Sequence, residues 1–302
     1  MAVQLPALSA GALAVLLKIE SAVLDCKGDA VSALQRFEES RKQSKQSGTK
    51  FSSEEFFSDA HIHIDLLTKV LDTATPPRQV AAHMIALKEA AIQFLLDQGP
   101  WESREQLSER YVPGLVSSPW HKFDGRVGPI VNQLKAATNG LRAEYESLKT
   151  RGLLEHESEC IQDASRGQWW HYIVNAPWRS ADENGCSLDT PFACRLLSDL
   201  RAFPSVHVFR AGFSAVGPDA WLRPHFGATN AQLKLHLGLV VPLANNRPCA
   251  KLRVGNETRH WQQGEVLFFD DSFEHEVHNN CASERVVFQV VIDHPNLSSK
   301  KA

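Results

Sequence analysis

The sequence predicts an α+β protein, a helical N-terminal region followed by a β-rich domain of the sandwich, barrel or jelly-roll kind. Apolar residues in the first hundred positions recur at helical spacing, as in AVSALQRFEESRK and HIHIDLLTKVLDTA. From Gly167 the pattern changes to short runs rich in β-branched and aromatic residues. Gly, Pro and Asn clusters separate those runs at close spacing, which favours many short antiparallel strands.

In chain order, the run Ala7 to Leu17 is apolar, but no Lys or Arg precedes it and it is shorter than the roughly 20 residues of a membrane span. It reads as a helix continuing through KIESAV. The polar stretch Ser44 to Glu55 reads as a loop between helical hairpins. Helices resume in RQVAAHMIALKEAAIQFLLDQ and stop at Gly99-Pro100, because the residue before a proline is driven out of the helical region. Tyr111 to Gly125 is a Pro/Gly/Trp connector, and one long helix is expected from about Val127 to Leu154. WWHYIVN, SVHVFRAGFSAV, LKLHLGLVV, AKLRVGN, EVLFFDD and RVVFQVVID are the expected strands. These features divide the chain into a helical region, 1–110, and a β domain, 111–302.

A chain of 302 residues buries a large core without needing a metal or disulfides to hold it together. Its 32 Lys+Arg against 35 Asp+Glu leave no basic footprint, which argues against nucleic-acid binding. Six cysteines are too sparse for a disulfide scaffold. Only Cys186 and Cys194 lie close together, in NGCSLDTPFAC, where a small disulfide ring and two free thiols are both open. With no transmembrane segment, a soluble cytoplasmic protein is expected, and the lumen of the secretory pathway is the alternative.

Three histidines fall on or beside the β runs: His225 in LRPHFGATN, His236 in LKLHLGL and His275 in DDSFEHEVHN. Two imidazoles brought together in a jelly roll are the core of a non-haem Fe(II) site, normally completed by a carboxylate. That carboxylate would sit two residues after the first histidine, where this chain has Gly227. A zinc site at His61, His63 and Asp65 is a weaker candidate, since helical spacing turns the two histidines to different faces.

The ordered series PHFGATN, LKLHLGLVVP, LRVGNETRHWQQGEVLFFDDSFEHEV and ERVVFQVVIDHP resembles the aspartyl/asparaginyl β-hydroxylase family of Fe(II)/2-oxoglutarate dioxygenases. The resemblance runs from about Tyr111, through VPGLVSSPWHK and GQWWHY, to Pro295. It implies a double-stranded β-helix (jelly roll) with flanking helices, and an iron site with two histidine ligands and no carboxylate. By that resemblance His225 and His275 hold the iron, and Arg285 and Ser214 bind the far carboxylate of 2-oxoglutarate. Lys234 and His236 contact cosubstrate or substrate carboxylates, and O2 is the second cosubstrate. Asp270 and Asp271 are candidates for supporting a ligating histidine or for capping the turn before His275. Trp169 matches a tryptophan at the edge of the site.

One departure stands out. The family places two arginines before the LGL motif, on alternate residues, and here those places hold Gln232 and Lys234. A neutral amide and a point charge grip a carboxylate less well than two guanidinium forks. The implied reaction is 3-hydroxylation of Asp or Asn in a polypeptide with release of succinate and CO2. The alternatives are a small-molecule hydroxylase of the same chemistry and a catalytically silent scaffold.

Overall fold

In the computed structural model of the protein the described residues are 10–297, apart from 27–28, 48–51, 74–75, 157–163, 178–185 and 204–205. They form two compact units that divide between Arg104 and Glu105. Residues 105–110, expected with the helices, go with the second unit: the Gln106 amide donates to Asp270 and Ser272, and Arg110 N–H to the Ala228 carbonyl.

The first unit contains α1 (Ala10–Cys26), α2 (Ala30–Ser47), α3 (Ser53–Thr73) and α4 (Arg78–Gln98). The start of the expected first helix, at residues 7–9, lies outside the described residues. Helix α3 begins inside the stretch expected as loop because Ser52 and Glu55 form a capping box. Glu55 N–H donates to Ser52 Oγ at 3.3 Å and Ser52 N–H to Glu55 Oε2 at 2.8 Å. Ala33, Leu34, Phe37, Leu66, Leu67 and Val70 make the core of this unit. His61 packs edge-on against Trp101 and His63 against Phe37, so they face different surroundings, and no metal-binding group of three ligands is found among the described residues. No described helix is long and apolar enough to cross a membrane.

The second unit opens with α5 (Gly128–Ala136) and α6 (Thr138–Thr150), not one long helix. The Thr138 hydroxyl donates to the Lys135 carbonyl at 2.7 Å, taking up a helix acceptor at the junction. The strands that follow are β1 (Glu155–His156), β2 (Ala164–Arg166), β3 (Trp169–Asn175), β4 (Val208–Val216), β5 (Ala220–His225) and β6 (Gln232–Val240). After them come β7 (Leu243–Ala244), β8 (Arg247–Pro248), β9 (Ala250–Val254), β10 (Glu257–His260), β11 (Val266–Phe269), β12 (His275–Asn279) and β13 (Arg285–Asp293). Between β3 and β4 lies α7 (Pro191–Arg201), which begins inside the NGCSLDTPFAC stretch of Cys186 and Cys194. It forms because Pro191 starts it without loss of a needed donor, and Ala193, Leu196, Leu197 and Leu200 bury one face.

All strand pairings in the two large sheets are antiparallel: a major sheet ordered β1-β3-β4-β13-β6-β11 and a minor sheet ordered β10-β9-β12-β5-β2. They enclose a core of Val216, Leu222, Leu252, Val254, Phe269, Val277 and Val287, which makes the domain a jelly roll. The other face of the major sheet packs on α5, α6 and α7 through Leu233, Leu235, Leu237, Val286, Phe288 and Val290. Cys186 is bonded to Cys194, and Cys249 to Cys281. Cys160 and the Cys26 side chain lie outside the described residues.

Phe288 is fully buried at the centre of the helix-facing core. Phe288→Ala is expected to lower the unfolding free energy by about 3–5 kcal/mol, read from urea denaturation; an unchanged midpoint would contradict the packing described. Burial holds His61 down at about 4 from its ordinary 6.5. The unfolded chain therefore takes up a proton near pH 6.5 that the folded chain refuses, so this residue costs stability as pH falls from 6.5 toward 4. His61→Phe, which keeps a ring on Trp101, is expected to remove that part of the acid sensitivity in thermal melts at stepped pH.

Candidate active site

His225 ends β5 and His275 begins β12, and the two are directly paired across these strands. Between this pair and the next, Leu222 opposite Val277, β5 spends three residues where β12 spends two. The extra residue is a bulge at Arg223-Pro224, a place where a strand tolerates proline. Val277 and Leu222 face the inter-sheet core, and the bulge brings His225 back to the face that His275 occupies. The two rings lie 4.1 Å apart between centroids.

Both imidazoles are oriented in the same way. His225 Nδ1 donates to the Arg223 carbonyl at 2.6 Å, and His275 Nδ1 donates to the Phe273 carbonyl at 2.9 Å, each two residues back. A ring that donates from Nδ1 carries its lone pair on Nε2, the form a metal takes. Burial first, and then the neighbouring His225 and Lys234, hold His275 well below its ordinary range, so it stays a neutral imidazole. No third His, Cys, Asp or Glu stands with them as a ready ligand among the described residues.

The place of the absent carboxylate is filled from elsewhere in the chain. Gly227 N–H donates to the Asp271 carbonyl at 2.6 Å. A Cβ at Gly227 would lie 2.5 Å from Asp271 Cγ and 2.8 Å from its carbonyl oxygen, so the Asp271 side chain occupies the space a residue at 227 would need. Asp271 Oδ2 also pairs with Lys234 Nζ at 2.6 Å. Asp270 has a different task. It accepts from Ser272 N–H at 2.9 Å and from the Gln106 amide at 3.1 Å, capping the turn that leads to His275. Burial pushes its carboxyl up to about 7.

The facing wall comes from the inner side of the major sheet. On β6, Leu233, Leu235 and Leu237 belong to the helix-side core, so Gln232, Lys234 and His236 project the other way. The same parity on β4 and β13 turns Ser214, Arg285 and Gln289 inward. Arg285 is 1% exposed, lies over the Trp261 ring at 4.4 Å, and donates to the Ser214 carbonyl at 3.4 Å. Its Nε has no partner and no carboxylate pairs with it among the described residues. Burial pulls its pKa down to about 9. The Ser214 hydroxyl accepts from Trp169 Nε1 at 3.0 Å. His236 donates from Nε2 to Gln289 Oε1 at 3.2 Å and leaves Nδ1 buried without a partner. Burial, reinforced by the positive Arg285 and Lys234, keeps it neutral.

A buried guanidinium without an acid is an incomplete arrangement, and a carboxylate ligand would complete it. The paired imidazoles fit a divalent metal, and the neighbouring cation fits an acid chelated to that metal.

The profile described as Aspartyl/Asparaginyl beta-hydroxylase covers residues 135–295. The chain belongs to this family. Human aspartyl/asparaginyl beta-hydroxylase is 34% identical over 213 residues, 68% of this chain and 26% of that protein. The ornithine lipid ester-linked acyl 2-hydroxylase of Rhizobium tropici is 45% identical over 80 residues, 26% of this chain and 28% of that protein. A solved oxidoreductase of the 2OG-Fe(II) oxygenase family from Burkholderia pseudomallei overlies 59% of this chain and 97% of its own, at TM-score 0.36 and 14% identity. The chain spans about a quarter of the length of the human and mouse hydroxylases it matches.

Two residues of this hydroxylase-family site escape sequence reasoning. Trp261, fully buried, lies under Arg285 and is stacked with His236, and nothing in RHWQQ marks it out from the other tryptophans. Gln289 did leave a signal: it is the one amide in the apolar run RVVFQVVID, and such a group needs a partner inside a sheet.

Gly227→Ala is expected to lower the unfolding free energy by about 1–3 kcal/mol by driving a methyl group into Asp271. Urea denaturation at neutral pH checks this. Wild-type stability would show that Asp271 does not occupy the space beside Gly227.

Proposed function

We propose that this chain is an Fe(II)- and 2-oxoglutarate-dependent dioxygenase that 3-hydroxylates Asp or Asn residues in a polypeptide, releasing succinate and CO2. The observation that carries this reading is the His225–His275 pair, with both Nδ1 atoms committed to backbone carbonyls, set with a buried Arg285 that lacks an acid. Iron, 2-oxoglutarate and O2 supply the oxidising chemistry when bound, and the protein supplies position and environment.

In this reading His225 and His275 hold the metal through Nε2. Arg285 takes the far carboxylate of the cosubstrate, and its low exposure strengthens that charge-assisted bond. Ser214 offers its hydroxyl beside that carboxylate, held in place by Trp169. His236 presents a neutral ring with an unpartnered Nδ1, which accepts a hydrogen bond without adding charge. The apolar residues Phe269, Val277 and Val287 keep the space between the sheets dry.

A second reading, hydroxylation of a small or lipid-linked substrate, draws support from two facts. Gln232 and Lys234 stand where the family resemblance implies two arginines, and one relative is named as a lipid acyl 2-hydroxylase. The bonded pairs Cys186–Cys194 and Cys249–Cys281 support an oxidising compartment over the cytoplasm.

The decisive assay is succinate formation from 2-oxoglutarate with Fe(II) under air, with a peptide library scanned for a gain of one oxygen. His225→Ala and His275→Ala are each expected to abolish turnover. Arg285→Gln is expected to raise the KM for 2-oxoglutarate by ~10-fold or more, since a charged hydrogen bond contributes about 1.5–3 kcal/mol. Equal turnover by wild type and the histidine variants would contradict the reading.

A further inference from the structure

Lys234 sits on the inner face of β6 and points its ammonium group at Asp271 Oδ2, 2.6 Å away. Only 19% of the lysine side chain and 9% of the aspartate side chain are exposed, so this is a largely buried pair. Removing one member of such a pair strands the other charge in a poor dielectric, which is far costlier than losing a surface ion pair. The aspartate is fixed at its other end too, by the bond between Gly227 N–H and its own carbonyl. It lies in the space a side chain at Gly227 would fill, two residues after His225 and four before His275. A flexible lysine stem suits this task, because a single point charge is directed at one oxygen.

We propose that Lys234 is a positioning residue, whose charge holds the Asp271 carboxylate in the cradle at Gly227 beside the two histidines, and that it is not a counter-ion offered to an acidic substrate. The inference rests on the oxygenase reading given above. A substrate acid that approached this stretch of β6 would meet a cation already neutralised, and taking that cation would leave Asp271 buried and unpaired. The role therefore acts on the metal site before any substrate arrives.

The test follows from that timing. Mn(II) is titrated under argon into the full-length wild type, Lys234→Met and Lys234→Arg, with no substrate present. Lys234→Met is expected to weaken Mn(II) binding by ~10-fold or more, the usual cost of losing support for a metal site, and Lys234→Arg is expected to restore it close to wild type. In parallel, a double-mutant cycle of Lys234→Met and Asp271→Asn is followed by urea denaturation. Each single change is expected to lower the midpoint, and the double change to recover most of the loss. Unaltered Mn(II) binding by Lys234→Met, or strictly additive midpoint shifts, would overturn the proposal. Failure of the oxygenase reading would show separately, as wild-type protein that binds no Mn(II). The stability cycle then decides alone, with additivity against the proposal and recovery for it.

Discussion

The pairing of β5 with β12 sets everything else in the site, because it puts His225 opposite His275 and makes their backbone carbonyl partners equivalent. Without the bulge at Arg223-Pro224, strict alternation of the same residues would turn His225 to the outer face with Trp221 and His278, which stack there. A one-residue change of register is therefore enough to abolish the metal pair while leaving the sheet hydrogen-bonded. The turn from Phe269 to His275 must match that register. Asp270, Ser272 and Gln106 fix it from below, and Asp271 closes it against Gly227.

The second constraint is parity in the major sheet. Even-numbered residues of β13 pack on α5, α6 and α7, and odd-numbered ones face the space between the sheets. One strand thus contributes Phe288 to the core and Arg285 to the site. Stability and chemistry occupy opposite faces of the same strand. The placement of a bare guanidinium in the inner layer costs desolvation energy that the apolar core on the other face has to offset. That cost is consistent with a site completed by an anionic ligand.

Much of this was legible from the residues. The six expected strands correspond to β3, β4, β6, β9, β11 and β13, because in each a run of β-branched or aromatic residues is bounded by turn formers. Strands β5 and β12 are harder to see, since AWLRPH and HEVHN carry proline, charge and histidine where an apolar alternation is expected. They depart from local rules because the site is built on them. Helix α7 was hidden by the cysteines and turn residues around it, and the break between α5 and α6 depends on one threonine hydroxyl. Among the site residues, Arg285 and Ser214 followed from resemblance alone, whereas His236 was also marked by its place on a β run. The burial that leaves Arg285 without an acid, the occupation of the Gly227 cradle by Asp271, and the Cys249–Cys281 bond are contacts between distant segments that no local pattern encodes.

Two imidazoles without a carboxylate make a weak site for a divalent ion, so the chelating 2-oxo acid, anchored by Arg285, has to supply the missing affinity. The most direct measurement is the dissociation constant of Mn(II) from the wild-type protein under argon, with and without saturating 2-oxoglutarate, corrected for the complex the two form in solution. 2-oxoglutarate is expected to tighten Mn(II) binding by ~10-fold or more, and Arg285→Gln to remove most of this gain. Tight Mn(II) binding that ignores 2-oxoglutarate in both proteins would contradict this coupling.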